Sequence, residues 1–256
     1  MTRPAGTSAS IHSAVATRFS AVRCPPRRGT QGAGVLAGFV AIAVCAIGAG
    51  ALLRLAERSD GSTGFDRRII SWVVAHRSAG ATTLARSFSL IGSTKFLLPV
   101  VVCVALGLAW RRRLALAGLV VVAWGGSIGL YNLTKVIVER PRPPQAIRLA
   151  SAAGSSLPSG HAAQSLATYV ALAVVAAAVL PRVSVPARVL AVILAAGVGC
   201  SRVYLGVHWA TDVGAGWMAA GLWIIVVLWA AAPARAPEQP LSADRAGRRW
   251  RPDDAA

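Results

Sequence analysis

Six apolar runs separated by short polar breaks constrain this chain more than any other feature: residues 34–55, 91–110, 114–133, 162–180, 188–203 and 211–232. Inside a bilayer a backbone must satisfy its own N–H and C=O groups, so a run of about 20 apolar residues crosses as a helix. The expected fold is all-α, a polytopic membrane protein with a six-transmembrane-helix bundle. Composition agrees: 55% of the 256 residues are hydrophobic and 14% charged, with a mean hydropathy of +0.58, which excludes an ordinary soluble domain.

Residues 56–89 break the pattern. Phe65, Ile69, Ile70, Trp72, Val73 and Val74 stand among Arg67, Arg68, Arg77 and Arg86, the mixture expected of a helix lying in the interface after the first span. His76 lies there without partners at ligand spacing and reads as a wetted surface side chain. Residues 1–31, rich in Ser, Thr, Pro, Gly and Arg, read as a disordered basic tail. The run 34–55 is too long for a signal-peptide core and lacks a small-residue cleavage site, so it reads as an anchor. The expected organisation is therefore a tail over 1–31, a membrane domain over 32–232 whose chemistry-bearing motifs fall between 135 and 212, and a polar tail over 233–256.

The formal charge of +18 is carried at the ends of apolar runs and not on one amphipathic face, which favours anionic lipid headgroups as partners over nucleic acid. Fifteen of the 27 basic residues fall on one side if both termini are cytoplasmic, including Arg111, Arg112 and Arg113. The expected topology is thus inside–inside, with the loops after spans one, three and five facing out. Basic residues are nearly all Arg, with Lys only at 95 and 135, a bias pointing to a GC-rich bacterial genome and so to a bacterial plasma membrane. Cys24, Cys45, Cys103 and Cys200 show neither metal spacing nor a disulfide framework, and packing residues are the expected reading.

Three polar clusters land on the outward side. Lys135 ends a span, and the prolines after it stop the helix, so Arg142 is delivered on a rigid extended segment nearby. An ammonium and a guanidinium together suit a tetrahedral dianion, although basic residues at a helix end are more often snorkelling anchors. In Leu157-Pro158-Ser159-Gly160-His161, Ser159 is placed to cap a helix whose first amides, Gly160 among them, point outward as an anion site. A plain capped membrane helix reads about as well. In Ser201-Arg202…His208…Asp212, the histidine and carboxylate are four apart and would share a helix face, leaving one ring nitrogen free to attack. Asp212 is the sole acid between Glu139 and Glu238, in a segment otherwise fit for lipid.

Lys135-x6-Arg142-Pro143, Pro158-Ser159-Gly160-His161 and Ser201-Arg202-x5-His208-x3-Asp212 together resemble the three-part signature of the type-2 phosphatidic acid phosphatase (lipid phosphate phosphatase) superfamily, which also includes vanadium-dependent haloperoxidases. The resemblance implies a hydrolase in which His208 attacks phosphorus to form a phosphohistidine and Asp212 orients it. His161 would protonate the leaving oxygen and then activate water. Lys135, Arg142, Ser159, Gly160 and Arg202 would hold the phosphate, with no metal and no cofactor required. The implied substrate is a membrane lipid phosphate, ranked as undecaprenyl diphosphate first because an outward site suits recycling of the isoprenoid carrier, then phosphatidylglycerophosphate or phosphatidic acid. A haloperoxidase-like oxidoreductase and a non-catalytic lipid or anion transporter are the more distant alternatives.

Overall fold

The computed structural model describes residues 62–231. The expected basic tail, the first span at 34–55 and the C-terminal tail at 233–256 lie outside the described residues. Among the described residues the chain is all helical: α1 Gly64–Ala75, α2 Ala79–Ile91, α3 Thr94–Trp110, α4 Leu114–Ile137, α5 Gly160–Val179, α6 Ser184–Tyr204 and α7 Ala210–Ala230, with 3-10 turns at Gln145–Ile147 and Pro181–Val183. Four helices, α4 to α7, are long and apolar enough to cross a membrane, α6 together with the turn before it. A fifth span arises if α2 and α3, bent by 45° at their junction, count as one.

The single interfacial helix expected over 56–89 is two helices where the structure describes it. Ser78 starts the second by accepting a hydrogen bond from the Ala81 amide at 3.3 Å, after His76 has closed the first. The cause is local, because the Ser78 side chain caps a new helix start in competition with continued helix. The second half of the segment thereby becomes the lower arm of the bent pair.

α5 is the hub, packing on α4, α6 and α7. Over its most apolar stretch 56% of residues are buried, against 22% for α4. Its alanines explain this, since small side chains let neighbouring backbones approach, the packing that substitutes for the hydrophobic effect in lipid. Away from the signature residues, Val101 and Leu108 of α3, Val120 and Ala123 of α4, Ala171 and Val175 of α5 and Ile224 of α7 form one apolar core. Side chains on the outer surface, such as Trp110, Val136 and Val192, are largely exposed, as lipid-facing positions would be. Nearly all buried polar groups, including Asp66, Arg140, Ser156, Ser159, Arg202, His208 and Asp212, lie instead where α5 and α7 begin and α4 and α6 end.

Candidate active site

α4 runs to Ile137 and stops before Pro141 and Pro143. This leaves Lys135 in its last turn and Arg142 on a non-helical segment, as the proline spacing requires. Lys135 Nζ stands 5.7 Å from the centre of the Tyr131 ring. That ring in turn covers Gly160, where a Cβ would sit 3.0 Å from it. Tyr131, one turn before Lys135, thereby links the end of α4 to the second signature segment.

Ser159 caps α5, its hydroxyl accepting from the Ala162 amide at 3.5 Å. Its own amide donates to the Asp212 carbonyl at 3.0 Å, so the starts of α5 and α7 are stitched backbone to backbone. His161, one residue into α5, lies within electrostatic reach of Arg202, His208, Lys135 and Arg142.

His208 is not on a helix. It lies in the turn between α6 and α7, where Gly206 adopts φ +70° and approaches so closely that a Cβ would meet the Ile147 carbonyl oxygen at 2.6 Å. Only glycine suits both constraints. The amides of Val207 and His208 donate to the Arg202 carbonyl at 3.2 and 3.3 Å, fixing the turn. The expected sharing of a helix face is thus replaced by a helix-start geometry. Asp212, the third residue of α7, reaches back to accept from the Trp209 amide at 2.8 Å, as an acid at that position commonly does.

Asp212 is fully buried and densely held. Arg140 Nη1 donates to Oδ1 at 2.5 Å, and Ser156 Oγ donates to Oδ2. His208 Nδ1 faces Oδ2 at 3.5 Å, an ion-pair separation longer than a good hydrogen bond, and has no nearer partner among the described residues. On the other side of the ring Arg142 Nη1 lies 3.1 Å from Nε2. A guanidinium N–H can donate only to an unprotonated nitrogen, so the proton of the neutral ring sits on Nδ1, towards Asp212, and Nε2 keeps its lone pair. Burial pushes His208 down to about 4, with Arg142 and Arg202 adding to it and Asp212 opposing. The ring is therefore neutral at ordinary pH.

Arg142 is braced by the carbonyls of Val207, Ala153, Ser155 and Gly154 at 2.8 to 3.0 Å. Burial, partly offset by Asp212, lowers its guanidinium from the usual value, the condition of a cation that gains from an incoming anion. Arg202 donates through Nη1 to Ser89 Oγ, while its buried Nε has no hydrogen-bond partner among the described residues.

All eight residues singled out from the sequence thus fall within one polar cluster. Four further members were not anticipated: Arg140, Asp66, Ser156 and Thr211. Arg140 sits inside the Lys135-x6-Arg142 stretch, and Thr63-x-x-Asp66 has the spacing of a capping box, which the structure shows. Both signals were in the sequence, but neither states burial.

A family model of the PAP2 superfamily matches residues 114–235. Phosphatidylglycerophosphatase B of Bacillus subtilis is 30% identical over 165 residues, covering 63% of this chain and 81% of that protein. The chain belongs to the PAP2 superfamily. The crystal structure of a transmembrane PAP2-type phosphatidylglycerolphosphate phosphatase from Bacillus subtilis is also similar, at 25% identity with a TM-score of 0.66, covering 84% of this chain and 98% of that one. This PAP2 protein is accordingly a multi-pass membrane hydrolase of the phosphatase class, which sets aside the transporter reading.

Proposed function

We propose that this PAP2 protein removes a phosphate from a membrane lipid phosphate, of the phosphatidylglycerophosphate type in preference to undecaprenyl diphosphate. The observation carrying the catalytic reading is the placement of His208 Nε2, a lone pair 3.1 Å from Arg142, in a cluster with Lys135, Arg202 and His161. Counting Arg140, which bridges Asp66 and Asp212, the cluster holds four cationic side chains and two carboxylates. The surplus of positive charge matches a phosphate dianion.

In this mechanism Arg142 moves its N–H from Nε2 onto a phosphate oxygen, and the orphan Arg202 Nε–H, Lys135, Ser159 Oγ and the Gly160 amide hold the others. His208 Nε2 attacks phosphorus in line, forming a P–N bond as the P–O bond to the lipid breaks. His161 donates a proton to the departing oxygen, then takes one from the water that attacks the phosphohistidine, and the P–N bond breaks to release inorganic phosphate. Asp212 steadies the positive charge that His208 acquires. No step draws on a metal ion.

The substrate's body has a place to lie. An apolar groove of about 630 Å³ runs beside Arg142, lined by Ile70 and Val74 of α1 together with Pro141, Ile147 and Trp209, with Arg67 at its edge. An apolar groove flanked by arginines fits an amphiphile carrying an anionic head. The relatives named as phosphatidylglycerophosphate phosphatases favour that lipid over the isoprenoid carrier, which the sequence alone ranks first on its outward-facing site. We further propose six spans, with 34–55 as the first and the bent α2–α3 pair as the second. In this arrangement α1 lies in the interface, both termini are cytoplasmic, and the site is on the outer face of a bacterial plasma membrane. The tails at 1–31 and 233–256 lie beyond the phosphatase domain.

The test is phosphate release by the full chain in lipid nanodiscs containing phosphatidylglycerophosphate, phosphatidic acid or undecaprenyl diphosphate, with a chelator present. The first lipid should give the highest kcat/KM, and His208→Ala should give none. A higher value on undecaprenyl diphosphate would reverse the substrate assignment, and chelator-sensitive or His208-independent release would overturn the mechanism.

A further inference from the structure

The mechanism above leaves unused the most heavily bonded carboxylate among the described residues. Asp66, on α1, is 146 positions from Asp212 and 1% exposed. Its Oδ2 accepts from Arg140 Nη2 at 2.8 Å. Its Oδ1 accepts from the Thr211 amide at 3.0 Å, and the Thr211 hydroxyl lies 2.8 Å from Oδ2. Thr63 contributes an amide and a hydroxyl as well. Burial alone would raise the Asp66 carboxyl, but the bonds from Thr211 and Thr63 outweigh it and hold it below the usual carboxylate value.

The arrangement is directional. The Arg140 guanidinium is shared, with Nη2 on Asp66 and Nη1 on Asp212 Oδ1 and on Thr211 Oγ1 at 2.8 Å. Thr211 is the residue before Asp212, and its amide is one of the first-turn donors of α7 that no helical carbonyl can satisfy. Asp66 therefore holds Asp212 by two routes, through the Arg140 fork and through the backbone of the first turn of α7. An ion pair this buried contributes little net stability against an apolar replacement, while loss of one partner strands a charge. Its clearest yield is geometric.

We infer that Asp66 and Arg140 are positioning residues for catalysis: they fix the rotamer and the charge of Asp212, and through it the orientation of His208. This rests on the His208 phosphatase reading above. Arg140 also limits how strongly Asp212 draws a proton onto His208. The other groups facing His208 are Arg142 from the loop, Arg202 from α6 and His161 from α5, with Lys135 of α4 facing Asp212.

The experiment measures kcat, KM and the acid limb of kcat/KM on phosphatidylglycerophosphate in nanodiscs for wild type, Asp66→Asn, Arg140→Gln, Arg140→Lys, the double variant and Thr211→Val. Arg140→Gln frees the full Asp212 charge to act on His208, so its acid limb should move up by about one pH unit. Asp66→Asn leaves more Arg140 charge facing Asp212, so its limb should move down. Both should lower kcat by roughly 10- to 100-fold with KM within about threefold, less than additively in the double variant. Arg140→Lys should recover part of the loss. Thr211→Val strands no charge, so it keeps the test open if the charge variants do not fold; a kcat loss of about fivefold at constant KM is expected. Variants that melt earlier while kcat and the acid limb stay at wild-type values would overturn the inference. Absence of His208-dependent release in the wild type would instead strike the phosphatase mechanism itself.

Discussion

α5 passes through two different environments within twenty residues. In its first turns Ser159, Gln164, Ser165 and Thr168 are buried, and Gln164 Nε2 donates to the Gly92 carbonyl at 3.0 Å. Further along, Ala171, Ala173 and Val175 pack against apolar side chains of α3, α4, α6 and α7. The polar end is specified group by group, because each buried donor and acceptor must find a partner. The apolar end is specified by volume and tolerates substitutions that keep the space filled. A change at the polar end should therefore be read in turnover, with a stability cost added wherever it strands a buried partner, and a change at the apolar end in stability alone.

His208→Ala is the sharpest test of that division. It should reduce kcat by at least about 10⁴-fold, since a nucleophile has no substitute, while thermal unfolding of the purified protein stays close to wild type. His161→Ala should cost roughly 10²- to 10⁴-fold in kcat, the range for loss of a general acid, and phosphohistidine should accumulate on rapid quenching because its hydrolysis also slows. Arg142→Ala should lower kcat/KM by about 10²- to 10³-fold; a loss confined to KM would mean that the arginine binds ground state and transition state alike.

Acidity acts at the same end. His208 must be neutral to attack, and burial pushes it down to about 4, so kcat/KM should hold through mildly acidic pH and fall about tenfold per unit below that value. The same depression has a consequence for stability. The unfolded chain binds this proton at higher pH than the folded one, so folding stability should decline as pH drops from the ordinary histidine range towards about 4. An acid limb lying at the ordinary histidine value would contradict the buried, cation-flanked ring.

At the apolar end, Leu97→Ala removes a side chain with no exposed surface. It should cost about 2 kcal/mol of stability through the cavity left behind, with turnover of the folded protein within about twofold. A large turnover defect there would dissolve the division between the two ends.

The apolar runs make the helices from α3 onward legible in the sequence, with boundaries displaced by a few residues. Ser159 at its cap position and Lys135 in the last turn of its helix were equally readable, because caps and helix-stopping prolines act locally. What could not be read was pairing over distance. Asp66 looked like one charge in a mixed interfacial segment, and its meeting with Arg140 and Thr211 depends on α1 docking against α7. The break at His76 is hidden in the sequence for a related reason: the apolar residues around it continue, and only the cap at Ser78 interrupts them. The His208–Asp212 spacing led to the right pair by the wrong geometry, since four residues across a helix start also bring two side chains together.

The stitch from the Ser159 amide to the Asp212 carbonyl also separates the site from the length of chain that joins its parts. The 3-10 turn at Pro181–Val183, between α5 and α6, follows the end of α5 opposite Ser159. Residues inserted into that hairpin would lengthen a loop without loosening the join, so domains or tags grafted there should leave the chemistry untouched. The same independence gives evolution a tether point that can be elaborated while the phosphate-handling end stays as it is.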